Sequence, residues 1–281
     1  MDSDSLRKLQ LIELKILLEI KRVCETNNIK YFLIGGTLLG AVRHNGFIPW
    51  DDDIDIGMMR DEYKRFLEVF PLSKGDEYTL ETTETDSGHA YLYGKVRLSG
   101  TTFQEERNKN VLENQGIWVD VFPFDNIPNS RVKQSLHKLI FSFFEVSTLR
   151  KYKYYDGKPK TVKGNIFNYI CICLSKFAGR DSLLSNREKI IQKYNSESTE
   201  YIINWPFKAA KREYFNELTE LPFETVLFPV PKMYHEYLTS FYGDYMRIPP
   251  ENERPKHSPY EPDFGKYAYI KTLDDVLPKK E

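Results

Sequence analysis

The chain has few cysteines, no apolar run long enough to cross a membrane and almost no net charge. Its three cysteines, Cys24, Cys171 and Cys173, lack the paired spacing of a disulfide framework or of a zinc site, so we predict buried thiols. Two apolar runs, ending at Leu149 and Leu174, fall short of the roughly 20 residues that span a bilayer. A net charge of −1 gives the whole molecule no general attraction to nucleic acid, and we expect no nucleic-acid partner.

The first residues, MDSDSLRKLQL, contain no apolar segment of the kind found in secretory signals. Together with the odd cysteine count, this start predicts a cytoplasmic location. The 281 residues can bury a substantial core, and the length suits one domain with a large appendage or two small lobes.

The most informative segment contains a glycine turn between two apolar runs. Residues 31–34 form a short run of aromatic and branched side chains, Gly35 and Gly36 interrupt it, and a helical pattern begins at Thr37. Glycines let backbone N–H groups approach an anion, and the N-terminus of a helix adds the positive end of its dipole. The Thr37 hydroxyl is a further candidate donor, so the pattern predicts a site for phosphates.

An acidic run follows the turn, with aspartates and isoleucines alternating in Asp53-Ile54-Asp55-Ile56. On a strand, the two aspartates project from one face while the isoleucines enter the core. Two carboxylates facing one way repel each other unless a cation lies between them. Mg²⁺, or Mn²⁺ in its place, prefers carboxylate oxygens together with substrate phosphates. A glycine turn or an acidic run alone is usually structural, but together they predict a phosphate and metal site.

A third acid interrupts an apolar strand pattern further along the chain. Ile117, Val119 and Val121 alternate with Trp118 and Asp120. An acid that emerges from an otherwise apolar strand is a candidate site residue.

These motifs resemble the signature of the LicD family, whose members have a nucleotidyltransferase-like fold. The matching positions are the turn Gly35, Gly36 and Thr37, the pair Arg43 and His44, the run from Gly46 to Trp50, the pair Asp53 and Asp55, and Asp120. The segment 237–257 resembles the closing segment of the family, with Arg254 and His257 as its polar positions. The resemblance implies that Asp53, Asp55 and Asp120 hold Mg²⁺.

The resemblance also implies an activity. Family members transfer a phospho-alcohol, typically phosphocholine from CDP-choline, onto a sugar hydroxyl of teichoic acid or lipopolysaccharide. Attack at the phosphorus that bears the alcohol releases CMP, whereas attack at the nucleoside phosphorus is nucleotidyl transfer. The proton of the attacking sugar hydroxyl passes to Asp120, or the hydroxyl reacts as a metal-bound alkoxide and no protein base is needed. A metal-dependent glycosyltransferase and a non-catalytic glycopolymer-binding protein are the alternatives.

Other side chains are candidates for donor binding. Arg43, His44, Lys95 and Arg97 are expected to contact donor phosphates, although exposed cations are more often solvated surface charges. The quaternary ammonium of choline favours an aromatic cage, for which Trp50 is a candidate wall. A tryptophan at the start of a strand is more often a core residue.

The periodicities predict an α+β fold: a nucleotidyltransferase-like mixed sheet of about five strands with packed helices, followed by a mainly helical C-terminal lobe. We expect a catalytic core over residues 1–128, a basic helical lobe over 129–245 that contacts the acceptor or the membrane, and a closing segment over 246–281. Apolar residues at helical spacing from Leu6 to Val23 predict the first helix, with Asp4 or Ser5 as its cap.

The segment from Arg131 to Arg180 has eleven Lys or Arg residues against two acids, Glu145 and Asp156. Its two apolar runs are either core helices of the second lobe or faces that dock on an anionic membrane, beside Lys151, Lys153, Lys158, Lys160 and Lys163. The same lysines suit a phosphate-bearing polymer. The expected partners are thus a CDP-alcohol donor and a lipid-linked or polymeric glycan acceptor, with peripheral contact at the inner face of the cytoplasmic membrane.

Overall fold

A computed structural model describes residues 1–104, 115–155, 162–254 and 260–277. The helices of this part of the chain are α1 Ser3–Thr26, α2 Gly35–His44, α3 Arg60–Ser73, α4 Arg131–Lys151, α5 Val162–Phe177, α6 Arg180–Ile191 and α7 Tyr234–Tyr242. Its strands are β1 Phe32–Leu33, β2 Asp55–Met59, β3 Tyr78–Glu81, β4 Gly94–Leu98, β5 Trp118–Ile127, β6 Tyr201–Ile203, β7 Ala210–Lys211, β8 Leu218–Phe223 and β9 Val226–Pro231.

The central sheet has the strand order β1-β2-β5-β4-β3. Strands β2 and β5 run parallel, and the other neighbours in this path are antiparallel. Strand β6 pairs with the end of β5 and carries β7 on its other side, while β8 and β9 form a separate hairpin. The predicted α+β class and the mixed sheet of about five strands are confirmed.

Helix α1 supplies one side of the core, as its spacing predicts. Leu9, Ile12, Ile16 and Ile20 are fully buried, and each such side chain contributes about 1.5–3 kcal/mol by leaving water. The N-terminal cap is Asp2, whose carboxylate accepts a hydrogen bond from the Ser5 N–H at 2.7 Å. The cap therefore lies two residues before the predicted Asp4, so Asp4 itself is in the first helical turn.

The chain after residue 129 is less helical than expected. Helices α4, α5 and α6 fit the prediction, but residues 201–231 contain four strands. Two of these strands, β6 and β7, follow from the length of β5, which continues to Ile127 and offers a free edge beyond the other core strands. Strand β6 occupies that edge, with Ile203 opposite Asp125. The boundaries 1–128, 129–245 and 246–281 stay a prediction.

The structure also tests two predictions, that the cysteines are buried thiols and that no segment spans a membrane. Cys24 and Cys171 are fully buried, Cys173 is half-buried, and none of the three is in a disulfide. Among the helices of the described ranges, none is both long and apolar enough to pass through a bilayer.

Candidate functional site

A groove of about 500 Å³ opens between the start of α2, the acidic run and the chain around the end of α7. Its walls are formed by Gly36, Leu39, Arg43, Ile48, Trp50, Asp51, Asp52, Asp53, Asp55, Tyr242, Asp244, Tyr245, Arg247 and Pro249. The groove thus joins the predicted phosphate turn and the aspartates to a C-terminal segment nearly 200 residues away in sequence.

The glycine turn lies directly against two carboxylates. Gly35 has a φ of +56°, and a Cβ on it would lie 3.2 Å from Oδ2 of Asp55. A Cβ on Gly36 would lie 2.6 Å from Oδ2 of Asp51, closer than real Cβ atoms come. Gly35 therefore needs glycine for its backbone conformation, and a side chain at Gly36 would displace the Asp51 carboxylate. Helix α2 begins here without a side-chain cap.

Thr37 makes a structural hydrogen bond, and its expected role as a phosphate donor stays a prediction. Its hydroxyl is buried and accepts a hydrogen bond from the N–H of Asp55 at 2.8 Å. This bond fixes the first residue of β2 to the first turn of α2.

Replacing Thr37 with valine is expected to lower the free energy of unfolding by about 1–3 kcal/mol, because the N–H of Asp55 loses its acceptor. Thr37→Ser keeps the hydroxyl and should recover most of the loss. Urea unfolding of both variants measures the effect. Equal stability of the valine and serine variants would show that the hydroxyl contributes nothing.

The predicted aspartates come together, with one change in their local structure. Strand β2 begins at Asp55, so Asp53 lies in the preceding loop, while Ile54 and Ile56 are buried as expected. Asp55 is directly opposite Asp120 in the parallel pairing of β2 with β5, which places both side chains on one face of the sheet. The N–H of Asp120 donates to the carbonyl of Ile54 at 2.9 Å and holds this register.

The pKa values of several groove side chains are raised by desolvation and by the neighbouring acids. The Asp53 side chain reaches solvent, but crowding by the protein desolvates the carboxyl, and this together with repulsion from Asp55 and Asp51 raises its pKa well above the usual range. Burial, with repulsion from Asp52, raises the pKa of Asp51 to about 7. Burial and the neighbouring aspartates raise the pKa of Tyr242 to about 12. The groove is therefore suited to a cation.

Asp120 has a partner that the sequence does not predict. The Lys95 ammonium lies 2.9 Å from Oδ1 of Asp120, and the lysine side chain is fully buried. Its Nζ is 4.1 Å from the ring centroid of Trp118, and it is 5.3 and 5.5 Å from those of Tyr91 and Tyr93. Lys95 therefore sits in an aromatic pocket that favours its charge next to the carboxylate.

The carboxylates fit a divalent cation only in part. In the portions of the chain that the structure describes, no three His, Cys, Asp or Glu side chains are arranged to hold a metal ion. Asp53 and Asp55 line the groove and supply the hard oxygens that Mg²⁺ prefers. Asp120 shares their side of the sheet, but its Oδ1 is engaged by Lys95. A metal held by all three residues stays a prediction.

Helix α1 contributes a further carboxyl, Glu13, close to the aspartates of the acidic run and to Asp120. Glu13 is 2 % exposed, and its Oε2 has no hydrogen-bond partner. Burial raises its pKa well above the usual range, and the charges of Asp53, Asp52, Asp51 and Asp120 raise it further. The sequence offers no sign of this residue, because it occupies a polar gap in an otherwise regular apolar helix face.

Because its pKa is raised on folding, Glu13 binds its proton more tightly in the native protein than in the unfolded chain. Its contribution to stability is present below the unfolded pKa and is lost as the pH rises toward the folded pKa. Glu13→Gln, which resembles the protonated acid, should match the wild type at pH 4 and exceed it in the free energy of unfolding at pH 8. Denaturant titrations at the two pH values test this. A constant difference between the proteins would contradict it.

Arg43 lies at the end of α2 and lines the groove. Its Nη1 donates to the carbonyl of Tyr245 at 2.7 Å and to that of Arg247 at 3.3 Å. The guanidinium thereby ties the C-terminal segment to the wall of the groove. Its neighbour His44 is half-buried, and desolvation with the nearby Arg43 charge lowers its pKa. His44 is therefore neutral at physiological pH.

Trp50, the candidate cage wall, has a cation on its ring already. The Arg254 guanidinium carbon is 4.1 Å from the ring centroid, and His44 meets the ring edge-on. The structure therefore brings together three predicted site residues on one rim. His257, which was predicted together with Arg254 as a polar position of the closing segment, lies outside the described residues.

Arg97 is fully buried and is placed away from the groove walls. It pairs with Glu81, which also binds His89, and its Nη1 donates to the Gly116 carbonyl at 2.7 Å. This network joins β3, β4 and the start of β5, a structural arrangement. The expectation that Arg97 contacts donor phosphates stays a prediction, and nothing in its position supports it.

Several groove residues were missed from the sequence. Asp51 extends the acidic run by one residue, so its proximity to the run was the available signal. Tyr242, Tyr245 and Arg247 belong to the family-like closing segment, but their place in the groove depends on how α7 packs on α2. That packing leaves no local mark in the sequence.

Comparison with known proteins supports the resemblance. Residues 28–147 match the family described as LicD/FKTN/FKRP, nucleotidyltransferase domain. The lipopolysaccharide cholinephosphotransferase LicD of Haemophilus influenzae is 34% identical over 267 residues, which cover 90% of this chain and 96% of that protein. The ribitol 5-phosphate transferase FKRP of Homo sapiens is 53% identical over 36 residues, which cover 13% of this chain and 7% of that protein.

A mixed sheet with facing carboxylates on β2 and β5, beside a glycine turn that starts a helix, defines a nucleotidyltransferase-like enzyme. Within this class the chain belongs to the LicD family. It is a phosphotransferase, as are its named relatives.

Proposed function

We propose that this protein transfers phosphocholine from CDP-choline onto a sugar hydroxyl of a cell-surface glycan, such as lipopolysaccharide or teichoic acid, and releases CMP. The observation that carries the proposal is the register of Asp55 with Asp120 beside Asp53 and the glycine turn. The 34% sequence identity with a lipopolysaccharide cholinephosphotransferase, over nearly the full length of that protein, supports the same donor group and acceptor class.

The carboxylates are assigned to Mg²⁺. Asp53 and Asp55 would hold the ion, with Asp120 as the third ligand, and the bound ion would neutralise charge on the donor diphosphate. The chain itself supplies the positioning. Gly36 and Thr37 present the N-terminal end of α2 to the groove, which favours an anion at that point. Arg43 and Arg247 on the groove wall add cationic groups for the phosphate that leaves as part of CMP.

The acceptor is proposed to be a glycan attached to its membrane lipid. CDP-choline is a soluble nucleotide, so the reaction would join a dissolved donor to an acceptor at the inner face of the cytoplasmic membrane. This places the protein in the cytoplasm with peripheral contact to that membrane.

The test is donor turnover by the purified protein in the presence of a glycan acceptor. CDP-choline should yield CMP in a reaction that needs Mg²⁺ or Mn²⁺ and stops with EDTA. Neither UDP-sugars nor CTP should be consumed. Release of a nucleoside diphosphate from a UDP-sugar, with no CMP from any CDP-alcohol, would assign glycosyl transfer instead.

A second donor, CDP-ribitol, belongs in the same panel. One observation favours it: the ring face of Trp50 is covered by Arg254 rather than open to a quaternary ammonium. A polyol binds through hydrogen bonds and needs no aromatic cage. The short match with FKRP is consistent with this donor. If CMP is released faster from CDP-ribitol than from CDP-choline, ribitol rather than choline is the transferred alcohol.

A further inference from the structure

Helix α4 exposes an apolar stripe to solvent. Val132, Leu136, Leu139 and Ile140 are between 40 and 79 % exposed. Their spacing of four, three and one residues places them on one face of the helix. The opposite face of α4 is buried, with Phe141 in the core and Glu145 paired with Arg187 of α6. The stripe is thus additional to the surface that α4 needs for folding.

Helix α5 has a matching stripe. Ile166, Tyr169, Ile170 and Phe177 are between 40 and 87 % exposed, again at helical spacing. These helices were expected to be either core elements or docking faces. Their inward residues, such as Cys171, form the packed side, and their outward residues form an exposed apolar side.

The two stripes are joined where the helices touch. Phe143 is one turn beyond Leu139 and Ile140 on the same face of α4, and its ring packs on Phe167 of α5 at a centroid distance of 4.5 Å. Phe167 adjoins Ile166, the first exposed apolar residue of α5. We call the surface formed by these eight exposed residues and the phenylalanine pair the α4–α5 face.

The exposed charges that α4 and α5 themselves contribute are of one sign. Helix α5 contains no acid, and the single acid of α4, Glu145, is buried in its ion pair with Arg187 at 2.8 Å. The basic residues of the two helices are Arg131, Lys133, Lys138, Arg150, Lys151, Lys163 and Lys176. Lys158, Lys160 and Asp156 lie outside the described residues, as does the side chain of Lys163. The face therefore combines apolar side chains with cations and without exposed carboxylates.

We infer that the α4–α5 face docks on the surface of a lipid bilayer that contains anionic lipids. Exposed apolar side chains enter the boundary of headgroups and acyl chains, while lysines and arginines beside them bind the anionic headgroups. A second copy of this chain would bring the same cations together across the interface, which disfavours self-association. A soluble phosphate polymer would satisfy the cations but leave the apolar stripes in water.

This inference deepens the proposed function, because a lipid-linked acceptor lies at the same surface, but its test needs neither donor nor acceptor. The full-length protein is sedimented with vesicles of phosphatidylcholine alone and of phosphatidylcholine with phosphatidylglycerol. The variant Leu139→Gln/Ile166→Gln removes one side chain from each stripe. The matched control Leu72→Gln/Leu227→Gln changes two exposed apolar residues outside the face, which are 88 and 52 % exposed.

We expect the wild type and the control to bind anionic vesicles at least about tenfold more tightly than neutral ones, and high salt to weaken this binding. The stripe variant should lose about tenfold or more of that affinity, because two apolar side chains no longer enter the bilayer. It should keep the CMP release of the wild type with a soluble acceptor, which separates a failure of docking from a failure of the proposed reaction.

Three results would overturn the inference. The first is equal affinity of the wild type for neutral and anionic vesicles, or no binding to either. The second is a wild-type dimer in analytical ultracentrifugation that the stripe variant dissociates, which would identify a second copy as the occupant. The third is binding to soluble polyphosphate and to vesicles that is unchanged in the stripe variant. This result would show that the basic residues bind polyanions without a contribution from the apolar stripes.

Discussion

Asp53→Asn is expected to reduce CMP release by about 10³-fold or more, since a metal site supplies several kcal/mol of transition-state stabilisation. Its folded structure should be at least as stable as the wild type. Asp55, Asp51 and Asp120 repel the Asp53 carboxylate, and the raised pKa of Asp53 reflects desolvation together with that repulsion. Loss of the charge therefore relieves strain in the groove while it removes the predicted metal ligand.

The matched control is Asp76→Asn, an exposed aspartate that lies outside the groove walls. It should retain the activity of the wild type. Initial rates of CMP release and thermal unfolding of both variants give the comparison. A fall of less than tenfold in Asp53→Asn, with Mg²⁺ saturating, would remove Asp53 from the proposed metal site.

Lys95→Met is expected to lower the free energy of unfolding by about 3–5 kcal/mol, because it leaves the Asp120 carboxylate buried beside an apolar side chain. Both partners of the pair are shielded from water, with the lysine side chain fully buried and that of Asp120 11% exposed. The variant also loses the contact of the ammonium with the Trp118 ring. Urea unfolding in EDTA measures the effect without a contribution from metal.

The double variant Lys95→Met/Asp120→Asn separates the ion pair from the packing of the lysine. If the cost arises from the unpaired carboxylate, the second substitution should restore most of the lost stability, giving a clear coupling between the two sites. Additive losses would place the effect in the aromatic pocket around Lys95 instead. A stable Lys95→Met variant would contradict the assignment of this lysine as the partner of Asp120.

Much of the site follows from local sequence. The strand, glycine turn and helix around Gly35 are encoded by residue types within about ten positions, and α1 by its regular apolar spacing. The facing of Asp55 and Asp120 follows once both residues are assigned to neighbouring strands, because side chains alternate along each strand. These parts depend on periodicity and backbone conformation, which a single sequence records.

The unpredicted parts depend on packing between distant segments. Lys95 was expected to contact donor phosphates, but the pairing of β4 with β5 sets it opposite Asp120 and beside Trp118. Glu13 comes close to the aspartates only because α1 crosses beneath the sheet. Nothing near either residue in the sequence identifies its partner, and the contact of Lys95 with donor phosphates stays a prediction.

The apolar runs of α4 and α5 show a further limit of prediction from a single sequence. Both helices are apolar on more than one side, so the sequence left a core role and a docking role open. Phe141 and Cys171 face inward, while Leu136 and Ile166 face solvent, and this division depends on how α4 packs on both α5 and α6. Tertiary structure, rather than composition, determines which side chains of the two helices are buried and which are exposed.

The central claim is the transfer of a phospho-alcohol, and the fate of labelled donor tests it most directly. CDP-choline labelled separately in the choline methyl groups and in the cytidine would be incubated with the protein, Mg²⁺ and a glycan acceptor. We predict that choline label enters the glycan, that cytidine label stays in solution as CMP, and that the two amounts are equal. Cytidine label on the glycan, or glycan labelling that persists in EDTA, would contradict the account.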